Sequence, residues 1–253
     1  MTRLSRAAAL AALLVAAAGA AGAEQARPDP AELSRELDQL YRADTSHGRM
    51  SMEVVTPNYT RDLDMEFWSR GLDYTLVRIL APLKEKGVSS LKRDTEMWNY
   101  LPKIDKTLRV PPSMMMGSWM GSDFTNDDLM RETSWEKDYS VAYGDAGADT
   151  LRLVYTPLPS APVTWQRVLV SFDAASHLPL SVDYVDEKGR LARRLEYSNV
   201  TLLGGRRQPS VMTLTPLSDD KRGHRTTVTY ESLELDLPVP ESTFSLQRLR
   251  EGD

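Results

Sequence analysis

Residues 97–130 run MWNYLPKIDKTLRVPPSMMMGSWMGSDFTNDDLM, and this stretch decides how the rest of the chain is interpreted. Its first part, Met97–Leu101, is rich in aromatic and apolar residues and stops at Pro102, which is typical of a strand. Thr107–Val110 is predicted to be the return strand, because two consecutive prolines end it. The stretch therefore begins as a hairpin of a β-sheet and continues as something less regular.

The irregular part is rich in methionine. Apart from Met1 the chain has ten methionines, and four of them lie between residues 114 and 120. Methionine is flexible and polarizable, so it suits surfaces that repack around variable apolar partners. One interpretation is an irregular piece of core. Two glycines and two prolines within residues 111–121 favour the other, a mobile apolar flap formed by Met114, Met115, Met116, Trp119 and Met120.

Three runs of this stretch resemble the central signature of a bacterial family. They are WNYLPK at 98–103, RVPPS at 109–113 and GSWMGSDFTNDDL at 117–129, and they are similar to the LolA-like outer-membrane lipoprotein-sorting proteins. A looser similarity extends from about Ala31 to Phe244. The resemblance implies a mainly β fold with helices (α+β). Its core is an open, strongly curved antiparallel sheet, an incomplete barrel, whose concave apolar face holds acyl chains under a helical or loop lid.

The N-terminus has the pattern of a secretory signal peptide. Arg3 and Arg6 precede an apolar stretch over Ala7–Ala18, and Ala21-Gly22-Ala23 is typical of a cleavage site. We expect residues 1–23 to be removed and residues 24–253 to form one domain, soluble in the periplasm. Since no cysteine follows the signal, we expect no lipid anchor and no other permanent membrane anchor.

Composition excludes several classes of function. The net charge is −5 and becomes −7 after loss of residues 1–23, which contain two arginines and no acidic residue. Nucleic-acid binding needs concentrated positive charge, so we expect no nucleic acid partner. The complete absence of cysteine excludes disulfides, thiol nucleophiles and thiolate metal sites.

Periodicity predicts one helix followed by many strands. Asp29–Ala43 places leucines on one face and has Pro30 in its first turn, as helices prefer. From residue 49 onward the pattern is about ten or eleven strands separated by turns, with Leu91–Leu101 and Trp135–Tyr143 among them. Thr60–Ser69 alternates sharply, so Leu63, Met65 and Phe67 face one way and Asp62, Asp64 and Glu66 face the other.

The apolar sides of the early strands carry methionine and phenylalanine rather than the β-branched residues that sheet cores prefer. This indicates either a locally loose core or the wall of a cavity that contacts flexible acyl chains. On the second interpretation, the candidate ligand-binding residues are Met50, Met52, Leu63, Met65, Phe67, Met97, Met114, Met115, Met116, Trp119, Met120 and Phe124.

Catalytic patterns are not found. His47, His177 and His224 each lie beside turn residues, without metal-ligand spacing or a nucleophile motif. Asp127-Asp128 is explained more simply as a helix cap than as an acid–base pair. Asp123 is predicted to fix a backbone turn. Arg206-Arg207 is either a solvated hairpin tip or a contact for phospholipid headgroups or an acidic partner. We expect a protein that is not an enzyme and that uses no cofactor and no metal.

The leading hypothesis is a monomeric periplasmic carrier or binding protein for lipids or lipoprotein acyl chains, acting in outer-membrane lipoprotein sorting or envelope lipid transport. Its partners would be an inner-membrane transporter and an outer-membrane acceptor. The alternative is a non-enzymatic periplasmic accessory or interaction subunit of an envelope transporter, whose sheet is filled by its own side chains. A hydrolase of envelope lipids would need a catalytic base that the sequence does not offer.

Overall fold

The computed structural model of the protein describes residues 27–131, 135–161 and 163–251. In this part the chain forms one continuous antiparallel sheet of thirteen strands, open and strongly curved. The signal peptide predicted at residues 1–23 lies outside the described residues and stays a prediction.

The strands follow one another in the sheet almost as they do along the chain. The first half contains β1 (Thr45–Val55), β2 (Thr60–Arg70), β3 (Tyr74–Ala81), β4 (Ser89–Arg93), β5 (Glu96–Leu101) and β6 (Lys106–Arg109). The second half contains β7 (Tyr139–Tyr143), β8 (Thr150–Pro157), β9 (Arg167–Asp173), β10 (Pro179–Val185), β11 (Leu191–Leu203), β12 (Arg206–Pro216) and β13 (Arg225–Leu235). Pairing of β1 with β13 joins the halves, so β6 and β7 are the two edges of the sheet.

In the described residues four short α-helices accompany the sheet: α1 (Pro30–Asp38), α2 (Asn126–Arg131), α3 (Trp135–Asp138) and α4 (Leu246–Arg250). Helix α1 begins as predicted, because the Asp29 carboxylate accepts hydrogen bonds from the N–H groups of Ala31 (2.8 Å) and Glu32 (3.3 Å). It ends earlier than the predicted Ala43. Beyond Asp38 the backbone tightens into turns, and Ala43 itself has a left-handed φ of 47°.

Register confirms the predicted faces of the early strands. Met50 lies opposite Met65, Met52 opposite Leu63, and Gly48 opposite Phe67. The side chains of Met52, Leu63, Met65, Phe67 and Met97 belong to one large apolar cluster on the concave face, and Met50 packs against it. Asp62 and Asp64 are exposed on the convex face, and Glu66 is half-buried there beside His47, whose Nε2 is 2.9 Å from the carboxylate.

A second, smaller cluster covers part of the convex face. It contains Leu76, Leu91 and Tyr100 from the sheet, together with Phe244 and Leu249 from the C-terminal segment. Residues 241–250 therefore pack on the outside of β3 and β4. Other segments cover the concave face.

Two predicted elements differ from the structure. The stretch Leu91–Leu101, predicted as one strand, is two strands that meet at Asp94, whose φ of 53° makes a tight turn that aspartate tolerates. Trp135–Tyr143, predicted as a strand throughout, begins with the single helical turn α3. Both differences raise the number of turns and shorten the strands.

Gly48 provides a test of the packing on the concave face. A Cβ atom there would lie 2.3 Å from the Ser232 carbonyl oxygen and 2.9 Å from the Phe67 ring, at the register shift between Arg49 and Met50. We expect Gly48→Ala to lower the free energy of unfolding by about 1–3 kcal/mol in urea denaturation, because backbone must move to relieve the overlap. In the control Gly147→Ala, the added Cβ would meet only Thr150 Oγ1 at 3.5 Å. Equal effects of the two changes would contradict this account.

Candidate functional site

A cavity of about 150 Å³ lies between the concave face and the segments that cover it. The cover consists of α1 with its following turn, residues 117–131 and α3. It contributes Leu37, Tyr41, Trp119, Phe124, Leu129 and Trp135 to the lining. From the sheet come Met50, Phe67, Val77, Val182, Tyr184, Leu195, Tyr197, Met212, Val228 and Tyr230. Aromatic rings thus form much of the wall on both sides.

One end of the cavity is polar. Asp38, Arg42, Ser46, Ser69 and Thr75 complete the lining where β1 and β3 begin and β2 ends. The buried hydroxyl oxygens of the two serines are 2.6 Å apart, and the Arg42 guanidinium donates to Thr75 Oγ1 at 3.3 Å. The site is therefore suited to a molecule with an apolar part and a polar end.

Tyr41 fixes the turn after α1 to the sheet. Its hydroxyl donates to the Pro209 carbonyl oxygen at 2.8 Å, and its ring stacks on Tyr230 with centroids 4.4 Å apart. The Tyr230 ring in turn meets the edge of Phe67. A ladder of three rings thus closes this side of the cavity.

Trp119 fixes the central part of the cover. Its side chain is only 4% exposed, and its indole Nε1 donates to Ser90 Oγ on β4 at 3.0 Å. The surrounding loop folds back on itself, since the Trp119 N–H donates to the Phe124 carbonyl at 2.8 Å. Met120 and Gly121 have φ values of 50° and 70°, which make the sharp turn between them.

Two further contacts hold this loop at its ends. The Thr226 hydroxyl on β13 donates to the Asp123 carboxylate at 2.9 Å and accepts from the Asp123 N–H at 3.0 Å. Asp123 therefore joins the cover to the sheet, whereas the sequence predicted that it fixes a turn. Arg61 at the start of β2 donates to the Met120 carbonyl oxygen.

Asp128 combines a helix cap with a buried ion pair. Its carboxylate accepts from the N–H of Thr125 at 2.7 Å while the Thr125 hydroxyl accepts from the Asp128 N–H at 3.1 Å, so the predicted cap is confirmed. The same carboxylate binds the Arg193 guanidinium through two hydrogen bonds of 2.7 and 2.5 Å. The guanidinium also lies over the rings of Trp165 and Tyr184, 4.7 and 4.1 Å from their centroids.

Arg193 keeps its charge in this buried position. Burial alone lowers the pKa of the guanidinium, but the adjacent Asp128 carboxylate outweighs that effect and raises the pKa above its ordinary value. A buried charge pair that holds two elements together fixes their relative position. Asp128 and Arg193 thus set where α2 rests on β11.

Solved structures with this architecture span nearly the whole chain. A DUF1329 family protein from Desulfovibrio piger ATCC 29098 has a TM-score of 0.75 at 20% identity, over 88% of this chain and 100% of its own. A LolA superfamily protein from Nitrosomonas europaea has a TM-score of 0.72 at 18% identity, over 87% and 99%. An outer membrane lipoprotein-sorting protein domain from Vibrio parahaemolyticus has a TM-score of 0.73 at 22% identity, over 87% and 97%. At these identities the likeness is one of fold.

A family model described as an uncharacterized protein matches residues 71–251. The chain belongs to this family, and its fold is LolA-like. The resemblance inferred from residues 98–129 is thereby confirmed. A comparison with the curated proteins finds no match.

The LolA-like fold places eight of the twelve predicted ligand-binding residues in the cavity wall or in the core beside it. Met50, Phe67, Trp119 and Phe124 line the cavity. Met52, Leu63, Met65 and Met97 are at most 1% exposed and pack beside it in the core without lining it. Alternation along a strand identifies the concave face, but it does not show which part of that face the cover touches.

The methionine segment does not behave as one flap. Met114 and Met116 are exposed, by 59% and 47%, whereas Met115 and Met120 pack partly against the core. Trp119 is buried and hydrogen-bonded, so the prediction that its side chain contributes little to the core is wrong. The reason is the Ser90 hydroxyl, an indole partner that the sequence pattern did not reveal.

Several lining residues were not predicted, including Tyr41, Trp135 and Tyr184. Arg193 was also missed, although it carries a usable signal. It occupies an inward-facing position of β11, in alternation with Leu195 and Tyr197. A charged residue in such a position needs a buried partner, which α2 supplies.

No described helix is long and apolar enough to cross a membrane. Among the described residues, no group of three or more His, Asp or Glu side chains is placed to hold a metal ion.

Trp119 tests whether the cover is anchored. We expect Trp119→Ala to lower the free energy of unfolding by about 3 kcal/mol or more, because a buried ring and its hydrogen bond are lost. Met116→Ser, at an exposed position of the same segment, should change it by no more than about 0.5 kcal/mol. Urea denaturation of both variants measures the difference. If neither variant lowered the free energy of unfolding appreciably, the interpretation of this segment as a mobile flap would hold instead.

Proposed function

We propose that this protein is a periplasmic carrier or binding protein for lipids or lipoprotein acyl chains. The observation that supports this most is the aromatic-lined cavity between the concave face and a separate cover. Transfer of acyl chains from water into such a space is favourable by roughly 0.8 kcal/mol per buried methylene. The mechanism is therefore binding and release, without chemical change of the ligand.

The size of the cavity implies that the cover moves. A cavity of about 150 Å³ is comparable to one that holds benzene, whereas sites for larger ligands measure about 300–1,000 Å³. The present form therefore has room for only a short piece of an acyl chain. Entry of a whole chain requires the cover to move away from the sheet.

Residues 117–131 of the cover are held by polar contacts of a kind that can reform. They include the hydrogen bonds of Trp119 to Ser90 and of Asp123 to Thr226, and the ion pair of Asp128 with Arg193. When they open, the apolar side chains beneath become available to a ligand. Because acyl chains replace the cover as apolar neighbours, the cost of opening is offset by burial of the ligand.

The polar end of the cavity supports an amphipathic ligand. Arg42 and the hydroxyls of Ser46, Ser69 and Thr75 provide donors for a carboxylate, ester or phosphate group. The ligand would lie with its polar end near α1 and its chains towards residues 119–129. Donor and acceptor proteins in the inner and outer membranes, and the part played in lipoprotein sorting, belong to the same proposal.

A cavity-filling variant tests the proposal. Val228 lines the cavity and is only 5% exposed, so Val228→Phe places a ring in the space that the ligand would occupy. We expect the dissociation constant for the fluorescent fatty acid cis-parinaric acid to rise at least about tenfold. Mass spectrometry of organic extracts should find lipid in the wild-type protein and much less in this variant.

Thr229→Phe is the matched control, since Thr229 is the next residue of β13 and faces the convex side. It should leave the affinity unchanged, and the melting temperatures of both variants show that they fold. A wild-type protein that carries no lipid and binds no cis-parinaric acid would contradict the proposal and favour the accessory-subunit alternative.

A further inference from the structure

Two neighbouring hairpins at one end of the sheet share an unusual surface pattern. In the hairpin between β3 and β4, Leu83 is 88% exposed and is followed by exposed lysines at 84 and 86. In the hairpin between β5 and β6, Ile104 is 57% exposed and lies between exposed lysines at 103 and 106. We call residues 82–88 and 102–106 the lysine-flanked tips.

The tips lie side by side and next to the cover. A Cβ atom added at Gly87 of the first tip would lie 3.4 Å from the Pro102 ring of the second. Arg61 lies 3.7 Å from Glu85 of the first tip and also donates to the Met120 carbonyl of the cover. From the second tip the chain continues through β6 to the exposed side chains of Met114 and Met116.

Positive charge is concentrated at the two tips, although the chain as a whole carries a net negative charge. Residues 82–88 and 102–109 contain five Lys and Arg and only two acidic residues, in a protein of net charge −5. Glu85 pairs with Arg61, and Arg109 pairs with Glu96 at 2.5 Å. Within the described residues the four lysines of the tips take part in no ion pair, so their charges are available to an external partner.

Single exposed aliphatic residues are common on protein surfaces and need no explanation. Two adjacent tips that both combine an exposed aliphatic residue with lysines are less common. In the first tip the lysines follow Leu83, and in the second they lie on either side of Ile104. Aliphatic groups of this kind enter the headgroup region of a bilayer, while lysines reach the lipid phosphates. Each lysine near an anionic leaflet adds to the attraction.

We propose that the lysine-flanked tips dock the protein on an anionic lipid bilayer. Docking places the cover and the methionine segment beside the membrane, where a chain can pass between the bilayer and the cavity. The inference goes beyond the proposed function, because the docking surface is separate from the cavity lining and binds whether or not the cavity is filled.

Vesicle co-sedimentation tests the proposal with the full chain. The wild-type protein should bind vesicles that contain phosphatidylglycerol at least about tenfold more tightly than vesicles of phosphatidylcholine alone. Because the attraction is electrostatic, it should weaken by a similar factor in about 0.5 M sodium chloride. The variant Lys84→Gln/Lys86→Gln/Lys103→Gln/Lys106→Gln should lose at least about tenfold in affinity, as should Leu83→Ser/Ile104→Ser.

The opposite end of the sheet offers a matched control. Leu202 is 71% exposed there, and Arg206 and Arg207 follow it at the turn to β12. The variant Leu202→Ser/Arg206→Gln/Arg207→Gln removes similar groups and should leave vesicle binding unchanged. All variants should keep the wild-type affinity for cis-parinaric acid, which separates this proposal from that of the cavity.

Three results would overturn the proposal. They are absence of wild-type binding to phosphatidylglycerol vesicles, equal binding to both kinds of vesicle, and an equal loss in the control variant. Absence of vesicle binding would favour an acidic protein, in place of a bilayer, as the partner of the tips.

Discussion

The apolar face of the sheet has to be covered, and this requirement governs the rest of the structure. In the described part of the chain the sheet curves around its own concave face, and short segments close the opening: α1, residues 117–131 and α3. Short segments cannot fill such a concavity completely. The space that remains between Trp119, Phe124, Tyr184 and Tyr230 is the cavity. The cavity is therefore a consequence of how the core of the fold is closed.

Closure depends on polar contacts placed where the apolar surface ends. The Asp128–Arg193 pair lies between α2 and β11, and Asp123 joins Thr226 at the start of β13. Buried ion pairs contribute little net stability compared with apolar packing, but they allow few alternative positions. They therefore define one closed arrangement while leaving its stability modest. A cover with these properties is suited to repeated opening.

Much of the fold was predictable from the sequence. Strands with alternating apolar and polar residues, turns and a capped N-terminal helix each have a recognisable sequence pattern. The faces of β1 and β2 followed from alternation alone, and the Asp128 cap followed from the TNDD pattern after Phe124. The cavity wall was predicted only in part. Met65 and Phe67 have the same periodicity, yet Phe67 lines the cavity and Met65 lies in the core, since curvature and the path of the cover decide between them. Trp119 shows the same limit, because its partner Ser90 lies 29 residues away.

The central claim is that the cover must leave the sheet for an acyl chain to enter. The natural sequence contains no cysteine, so Asp123→Cys/Thr226→Cys introduces a single disulfide that ties the cover to β13. The measurement is the rate at which cis-parinaric acid enters this variant before and after reduction. The account predicts uptake at least about tenfold slower in the oxidised form, restored by reductant. Equal rates in the two forms would contradict it.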